Sequence, residues 1–350
     1  MAARTHPRTQ TPPRARRGED GRLLSSAGRG IAVAVLALAA GALLTAPGMH
    51  KSAFNQQPGL RRDVALAITG PLARVSHALL LDRPRQLVRD AIGRGDGDRI
   101  DTEIALPPAA PATSGPAPAP PALPVFTPKR KLRLWVAGDS LVITPGYSLV
   151  RAAGASPVIR SLGVDGRVGT GLERPDVFNW FTEIRAQVKR LRADVVVLGF
   201  GGNDDHGYMT GLPDGVSVDG FGTPSWRREY ARRVGGLFDT IARAGAVAVW
   251  IGLPITRSRK QTQRFDVINS VVAREARKRR GRAIYVDTYA MFAGADGGYA
   301  EYLQGANGTS IKVRAGDGVH LDSAGGDMVA REVLKRLNET FDLTSWRRKR

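Results

Sequence analysis

Residues 132–143 read LRLWVAGDSLVI, and this stretch decides how the rest of the chain is interpreted. An apolar run stops at Gly138-Asp139-Ser140, and a second apolar run follows. A continuous apolar run of this length is typical of a strand that is covered on both faces of a sheet. The sequence therefore predicts a buried strand that ends in a glycine, a carboxylate and a hydroxyl.

Similar short apolar runs recur in residues 131–350 and alternate with amphipathic helical patterns. This alternation predicts a three-layer α/β/α fold around a five-stranded parallel sheet, in which ligands bind beyond the carboxyl ends of the strands. The predicted strands are 132–137, 157–162, 195–200, 246–252 and 283–287, and the predicted helices are 145–153, 176–191, 225–244, 263–279 and 324–338.

The segments that follow the predicted strands carry the groups that acyl transfer needs. Ser140 follows the first strand, and a glycine-rich turn (163–172) follows the second. Asn203 follows the third strand, and Asp317-Gly318-Val319-His320 comes just before the last helix. A serine nucleophile must lose its proton to a base, for which an imidazole is suited near neutral pH. A carboxylate such as that of Asp317 can orient the imidazole, while backbone amides and a carboxamide can stabilise an oxyanion.

Taken in this order, the four blocks resemble those of the SGNH (GDSL-like) hydrolase superfamily, over roughly residues 131–340. The resemblance implies a flavodoxin-like SGNH hydrolase fold without a cofactor. It implies Ser140 as nucleophile, His320 and Asp317 as base and acid, and Asn203 with Gly171 as oxyanion donors. Gly169 is the alternative to Gly171. More closely, GDSL, GTGLERPDVFNW and FGGNDDHGY resemble an uncharacterised bacterial, envelope-associated subgroup.

Few histidines are available to the predicted hydrolase domain. His206 and His320 are the two in residues 131–350, and only His320 lies in an Asp-x-x-His block. The two histidines are not spaced as the ligands of a metal ion are, and the chain has no cysteine, so no metal site is predicted. The glycine-rich segments 206–225 and 294–316 are expected to frame the pocket, but their sequence does not define the substrate-binding residues.

The N-terminal region predicts a membrane segment. Residues 1–29 are arginine-rich and read as a disordered cytoplasmic tail, and residues 30–47 read as a transmembrane helix or signal-anchor. A cleaved signal peptide, with small residues at 40–42, is the alternative and would give a secreted protein. The interpretation favoured here is a single pass of the bacterial cytoplasmic membrane, with the hydrolase domain outside. A membrane-proximal helical segment (48–104) and a Pro/Ala-rich linker (105–130) complete the predicted organisation.

The chain is strongly basic, with a formal net charge of +20 over 350 residues. The charges are scattered along the sequence and do not form a known nucleic-acid motif, so we interpret them as solvated helix faces and predict no nucleic-acid partner. The sequence does not indicate an oligomeric state.

Three functions are compatible with these patterns. The first is a serine esterase that removes an O-acetyl or other short acyl group from an envelope carbohydrate or a small ester. The second is an O-acyltransferase that uses the same serine and passes the acyl group to an envelope glycan, because both reactions share the acyl-enzyme step. The third is a non-catalytic, membrane-tethered envelope protein, which the intact serine, asparagine, aspartate and histidine disfavour.

Overall fold

The computed structural model describes residues 20–91, 95–108, 124–205, 207–305 and 307–344, which form two compact units that divide after Arg99. Residues 1–19 of the predicted basic tail, residues 109–123 of the predicted linker and His206 lie outside the described residues.

The first unit is helical and contains the predicted membrane segment. Its helices are α1 (Asp20–Phe54), α2 (Leu60–Ala78) and α3 (Arg83–Ala91), followed by a 3₁₀ turn (Gly95–Asp98). Helix α1 covers the predicted segment 30–47 and continues through Pro47. Its apolar side chains between Ile31 and Leu38 are exposed. The helix is long and apolar enough to cross a bilayer, a property that an N-terminal signal sequence shares.

Helices α2 and α3 lie within residues 48–104, for which the sequence predicts a membrane-proximal helical segment. Helix α2 packs along α1, where His50 Nδ1 lies 3.2 Å from Thr69 Oγ1, and Arg85 pairs with Asp98 at 2.8 Å. The sequence predicts no second span, yet α2 and α3 together have the length and apolarity of a broken span that bends by 85°.

The second unit has the predicted α/β/α architecture, which confirms the expected fold class. Its parallel sheet has the order β2-β1-β3-β4-β5, so the strand that precedes Ser140 is hydrogen-bonded on both sides. The strands are β1 (Leu132–Gly138), β2 (Ile159–Gly166), β3 (Val195–Gly199), β4 (Val247–Ile251) and β5 (Ala283–Val286).

Helices cover both faces of this sheet. The core on one face contains Trp180, Trp226 and Ile268, and the core on the other contains Leu149 and Val333. The five helices are α4 (Ile143–Gly154), α5 (Trp180–Leu191), α6 (Pro224–Arg243), α7 (Arg259–Arg277) and α8 (Ser323–Thr340).

Several bounds differ from the sequence prediction: β2 continues to Gly166, and α7 begins at Arg259 rather than at 263. Helix α5 begins at Trp180 rather than at 176, because the Asn179 side chain caps it by accepting from the N–H groups of Phe181 and Thr182, both at 3.1 Å. The glycine-rich segment 294–316, for which no strand was predicted, contains an antiparallel hairpin of β6 (Tyr302–Gln304) and β7 (Ser310–Lys312).

The α/β unit begins earlier than the predicted boundary at 131. Leu106 packs beside Gly236, and the Asn179 side chain donates to the carbonyl of Glu103 at 2.8 Å. At the other end of the predicted linker, Phe126 packs edge-on against Phe341 at a centroid distance of 5.6 Å. Both described ends of the 105–130 segment therefore contact the α/β unit, because they supply apolar side chains that complete its core.

Candidate active site

Ser140 stands at the carboxyl end of β1, where the chain makes a tight turn. Gly138 is required at the strand end, because a Cβ there would overlap the carbonyl oxygen of Gly199 on β3. Ser140 then begins a short 3₁₀ turn, Ser140–Val142, that leads directly into α4. Its backbone N–H therefore belongs to a first helical turn, where N–H groups point away from the helix and can meet an anion.

Ser140, His320 and Asp317 are joined by hydrogen bonds. The Ser140 Oγ lies 2.9 Å from His320 Nε2, and His320 Nδ1 lies 2.6 Å from Asp317 Oδ2. Because an ionised carboxylate only accepts, Nδ1 carries the ring hydrogen and Nε2 accepts the serine hydroxyl hydrogen. The structure thus brings together three residues that are separated by up to 180 positions in the chain.

Asp317 is held in the charged form that this arrangement requires. Burial opposes the charge, but hydrogen bonds from the Val319 N–H at 2.9 Å, from the His320 ring and from the His320 N–H at 3.0 Å outweigh it. Together they hold the pKa of the Asp317 carboxyl at about 2.

Asn203 lies in the loop after β3, and its side chain reaches the loop after β2. Its Nδ2 donates to the Thr170 carbonyl at 2.9 Å. This bond places the carboxamide between the two candidate glycines, 169 and 171. Gly169 has a φ of +73°, and a Cβ on Gly171 would overlap the carboxylate of Asp204, so the backbone requires glycine at both positions.

Two fully buried carboxylates hold these loops together. Asp139 accepts from the N–H groups of Leu141 at 2.8 Å, Gly201 at 2.9 Å and Gly202 at 2.8 Å. Burial raises the pKa of Asp139 to about 7, although the three N–H donors favour its charged form. Asp204 accepts from the Glu173 N–H at 2.9 Å and from the Tyr230 hydroxyl at 2.7 Å, and burial raises its pKa as well.

Sequence reasoning missed a buried arginine that supports the second loop. Arg233 on α6 donates to the carbonyls of Leu172 at 2.7 Å, Glu173 at 3.1 Å and Thr210 at 2.7 Å, and it pairs with Glu229 at 2.7 Å. Positions 229 and 233 fall on the helix face that also carries the buried Trp226, Tyr230 and Leu237. A charged i, i+4 pair within an apolar face was the signal that could have identified it.

The residues around Ser140 and His320 also border a small apolar cavity of about 20 Å³. Its walls include Leu141, which follows Ser140, and Val319, which precedes His320. Among the described residues no group of three histidine, aspartate or glutamate side chains is arranged to hold a metal ion.

The sheet order and the position of all four blocks at one edge agree with the fold that the resemblance to the SGNH hydrolases implies. Solved structures similar to this chain include a protein from Slackia heliotrinireducens assigned to the SGNH hydrolases, with 21% identity, a TM-score of 0.40 and coverage of 59% of this chain and 99% of the other. A GDSL-like lipase from Bacteroides thetaiotaomicron has 16% identity and a TM-score of 0.39, with coverage of 62% and 92%. An acetylxylan esterase from Geobacillus stearothermophilus, in a catalytic-mutant form, has 18% identity and a TM-score of 0.40, with coverage of 61% and 95%.

No curated protein matches the chain. A family profile does match, over residues 133–336, with the description "Protein of unknown function (DUF459)". This match covers more than half of the 350 residues and lies entirely within the α/β unit. The chain therefore belongs to the DUF459 family.

Proposed function

We propose that this protein is a serine esterase that removes short acyl groups, with Ser140 as the nucleophile. The observation that carries the proposal is the continuous hydrogen-bond chain from Ser140 Oγ through His320 to Asp317, with distances of 2.9 and 2.6 Å. Distances of this size are what proton transfer between a nucleophile and its base requires.

In the proposed reaction, Ser140 Oγ attacks the carbonyl carbon of the ester while its proton passes to His320 Nε2. The negative charge that develops on the carbonyl oxygen is stabilised by the Ser140 N–H, by the Asn203 carboxamide and by a glycine amide, either Gly171 or Gly169. The carbon–oxygen bond to the alcohol then breaks, and the alcohol leaves with the proton from His320. Water, deprotonated by His320, releases the acyl group as a carboxylic acid and restores the serine.

Two features support a short acyl group and an extracytoplasmic substrate. The apolar cavity bordered by Leu141 and Val319, the chain neighbours of Ser140 and His320, has a volume of about 20 Å³, so an acyl group that entered it would be no larger than roughly a methyl group or a water molecule. The exposed apolar helix α1, preceded by arginines, favours an anchor with the α/β unit outside the cytoplasm. We therefore propose an acetyl or other short-chain ester of an envelope carbohydrate or small molecule as the substrate.

The proposal is tested by the release of p-nitrophenol from p-nitrophenyl acetate, butyrate and octanoate by the full chain. We expect turnover that is fastest with acetate and falls at least ~10³-fold in Ser140→Ala and in His320→Ala. The matched control is Ser323→Ala, because this exposed serine lies three positions beyond His320. An acyl-enzyme burst without turnover would instead identify the O-acyltransferase, and equal background in all variants would overturn the proposal.

A further inference from the structure

The proposed acid and base lie on one short loop, residues 315–320, which we call the acid–base loop. Its two ends are joined, because the Ala315 N–H donates to the His320 carbonyl at 2.9 Å and the Asp322 N–H donates to the Val313 carbonyl at 3.0 Å. These bonds give the loop its shape, but they do not attach it to another loop at this edge of the sheet.

Two arginines make that attachment, to the segment that follows β4. Arg257, on this segment, donates from its backbone N–H to the Gly318 carbonyl and from Nη1 to the Gly316 carbonyl, both at 3.0 Å. In the opposite direction, Arg314 donates from Nη2 to the carbonyl of Ile255. We call Arg257 and Arg314 the arginine clamp.

The segment that the clamp uses is itself fixed to helix α7. The Leu253 N–H donates to Asn269 Oδ1 at 2.8 Å, and Asn269 Nδ2 donates back to the Leu253 carbonyl at the same distance. The Thr256 N–H donates to Thr262 Oγ1 at 2.9 Å. The clamp therefore ties the acid–base loop to a part of the core and not to a free loop.

Arg257 closes the clamp from the solvent side. Its guanidinium is held between the Gly316 carbonyl and Glu301, whose carboxylate lies 3.0 Å from Nη2. Its Cβ also packs under Gly318, where an added Cβ would lie only 2.6 Å away. Half of the Arg257 side chain is exposed, so its charge remains solvated.

Arg314 closes the clamp from the buried side, at a cost to the stability of the fold. Its side chain is fully buried, and its Nε and Nη1 have no hydrogen-bond partner. Its guanidinium carbon lies 5.6 Å from the ring centroid of Phe292 and 5.4 Å from that of Tyr299. Burial lowers the pKa of Arg314, whereas Tyr299 and the Asp317 carboxylate favour its charged form. Burying a cation with unpaired donors is unfavourable, so the fold alone does not account for an arginine here.

We propose that the arginine clamp positions the base of the proposed esterase, holding His320 Nε2 at 2.9 Å from Ser140 Oγ. This inference rests on the proposed function. Both guanidinium groups bind backbone carbonyls and not the side chains of the triad, so they act through the loop as positioning residues. Displacement of a reacting group by about 1 Å can cost roughly 10²-fold in rate.

The first part of the test is the kinetics of the full chain with p-nitrophenyl acetate. Arg314→Met and Arg257→Met should each lower kcat by about 10–100-fold and change KM by less than about two-fold, because the clamp acts on proton transfer and not on binding. Arg257→Lys should recover part of the loss, since a lysine can reach one of the two acceptors. Arg259→Met, at an exposed position in the first turn of α7, is the matched control and should leave kcat unchanged.

The second part separates positioning from a general structural role. In Arg314→Met the loss of the Ile255 bond is offset by removal of a buried cation, so the thermal midpoint should move by less than about 3 °C. Arg233→Met, which removes another fully buried arginine, should lower it clearly. Hydrogen exchange of the backbone amides should become faster only in residues 313–322 of the two clamp variants.

Turnover by the wild type that both clamp variants retain would overturn the clamp and leave the proposed esterase intact. A fall in thermal midpoint as large as that of Arg233→Met, with faster exchange throughout the α/β unit, would also overturn it, because Arg314 would then serve the fold. A wild type without Ser140-dependent turnover would overturn the proposed function instead. Faster exchange confined to residues 313–322 would still support the attachment of the loop in that case, because exchange does not depend on esterase activity.

Discussion

The carboxylate of Asp139 accepts a hydrogen bond from the backbone N–H of Gly202 at 2.8 Å, although the two residues are 63 positions apart. Asp139 precedes Ser140, and Gly202 precedes Asn203. One buried carboxylate thus sets the separation between the proposed nucleophile and the proposed oxyanion donor. Asp204 forms the corresponding link from the third loop to the second through the Glu173 N–H at 2.9 Å.

Replacing the Asp139 carboxylate by an amide should change how the stability of the fold depends on pH. Burial raises the pKa of Asp139 from 3.8 to about 7, so the folded protein binds more protons than the unfolded chain between these values. This group therefore lowers the stability of the fold as the pH rises from about 4 to about 7, by on the order of 4 kcal/mol, and has no further effect above that range. In Asp139→Asn this pH-dependent loss of stability should be absent.

Urea unfolding of both proteins between pH 4.5 and pH 8 measures this effect. Near pH 4.5 Asp139→Asn should be less stable than the wild type by about 1–3 kcal/mol, because its NH₂ group would face a backbone N–H, and this difference should shrink as the pH rises. Asp214→Asn, at an exposed position, is the control for loss of a carboxylate. A variant whose unfolding midpoint falls with pH as steeply as the wild type would contradict the assignment.

Asp317→Asn should lower kcat by about 10³–10⁴-fold, because an amide no longer fixes the His320 tautomer. The wild-type carboxyl has a pKa of about 2 and stays ionised from pH 4 to pH 9, so its charge is constant over the working range. Measured kcat/KM values over that range should therefore show no inflection from Asp317. A loss of less than ten-fold in the variant would show that the carboxylate does not orient the base.

Asn203→Ala should lower kcat by about 10²–10³-fold with little change in KM, because an oxyanion donor acts in the transition state. Asn203→Asp has nearly the same shape without the two N–H groups and should lose a similar amount. Steady-state kinetics of the two variants with p-nitrophenyl acetate provide the measurement. If the effect appeared in KM instead, the side chain would have a role in ground-state binding only.

Arg233→Met should lower the free energy of unfolding by roughly 3 kcal/mol or more, because it removes the Arg233 donor from the carbonyls of Leu172 and Thr210 and takes one cation from the buried Glu229. Arg233→Lys should retain part of this stability. Arg232→Met is the matched control, because Arg232 pairs with the same Glu229 at 2.7 Å but is partly exposed. Chemical denaturation should rank the three variants in the order Arg232→Met, Arg233→Lys, Arg233→Met, from most to least stable.

Gly138→Ala should prevent folding or inactivate the protein, since the new Cβ would overlap the Gly199 carbonyl of the neighbouring strand. Gly154→Ala has no atom within 4 Å of the new Cβ and lies in α4, so it should stabilise the fold by about 0.5–1 kcal/mol. Expression yield and thermal unfolding of the two variants separate steric from conformational effects. Equal behaviour of both would contradict the close approach of β1 and β3.

Periodicity was sufficient to predict the five strands and their helices, because strands buried on both faces and amphipathic helices have clear patterns. It also placed Ser140, Asn203, Asp317 and His320 at one edge, since the topology of a parallel sheet brings strand ends together. The buried residues that hold the loops of the site in place could not be predicted in the same way. Arg233, Asp139 and Asp204 act through contacts between residues that are distant in sequence, and no local pattern encodes these contacts.

The position of β1 between β2 and β3 affects which parts of the sequence can vary during evolution. Backbone amides of a strand that is bonded on both sides exchange their hydrogens only when the whole domain unfolds, whereas surface loops open locally. Residues 207–223, which lie beyond Asn203 in the loop between β3 and α6, can therefore accept substitutions without affecting the strand that presents Ser140. Evolution can alter which ester the protein accepts while the reacting serine stays fixed in the most slowly opening part of the fold.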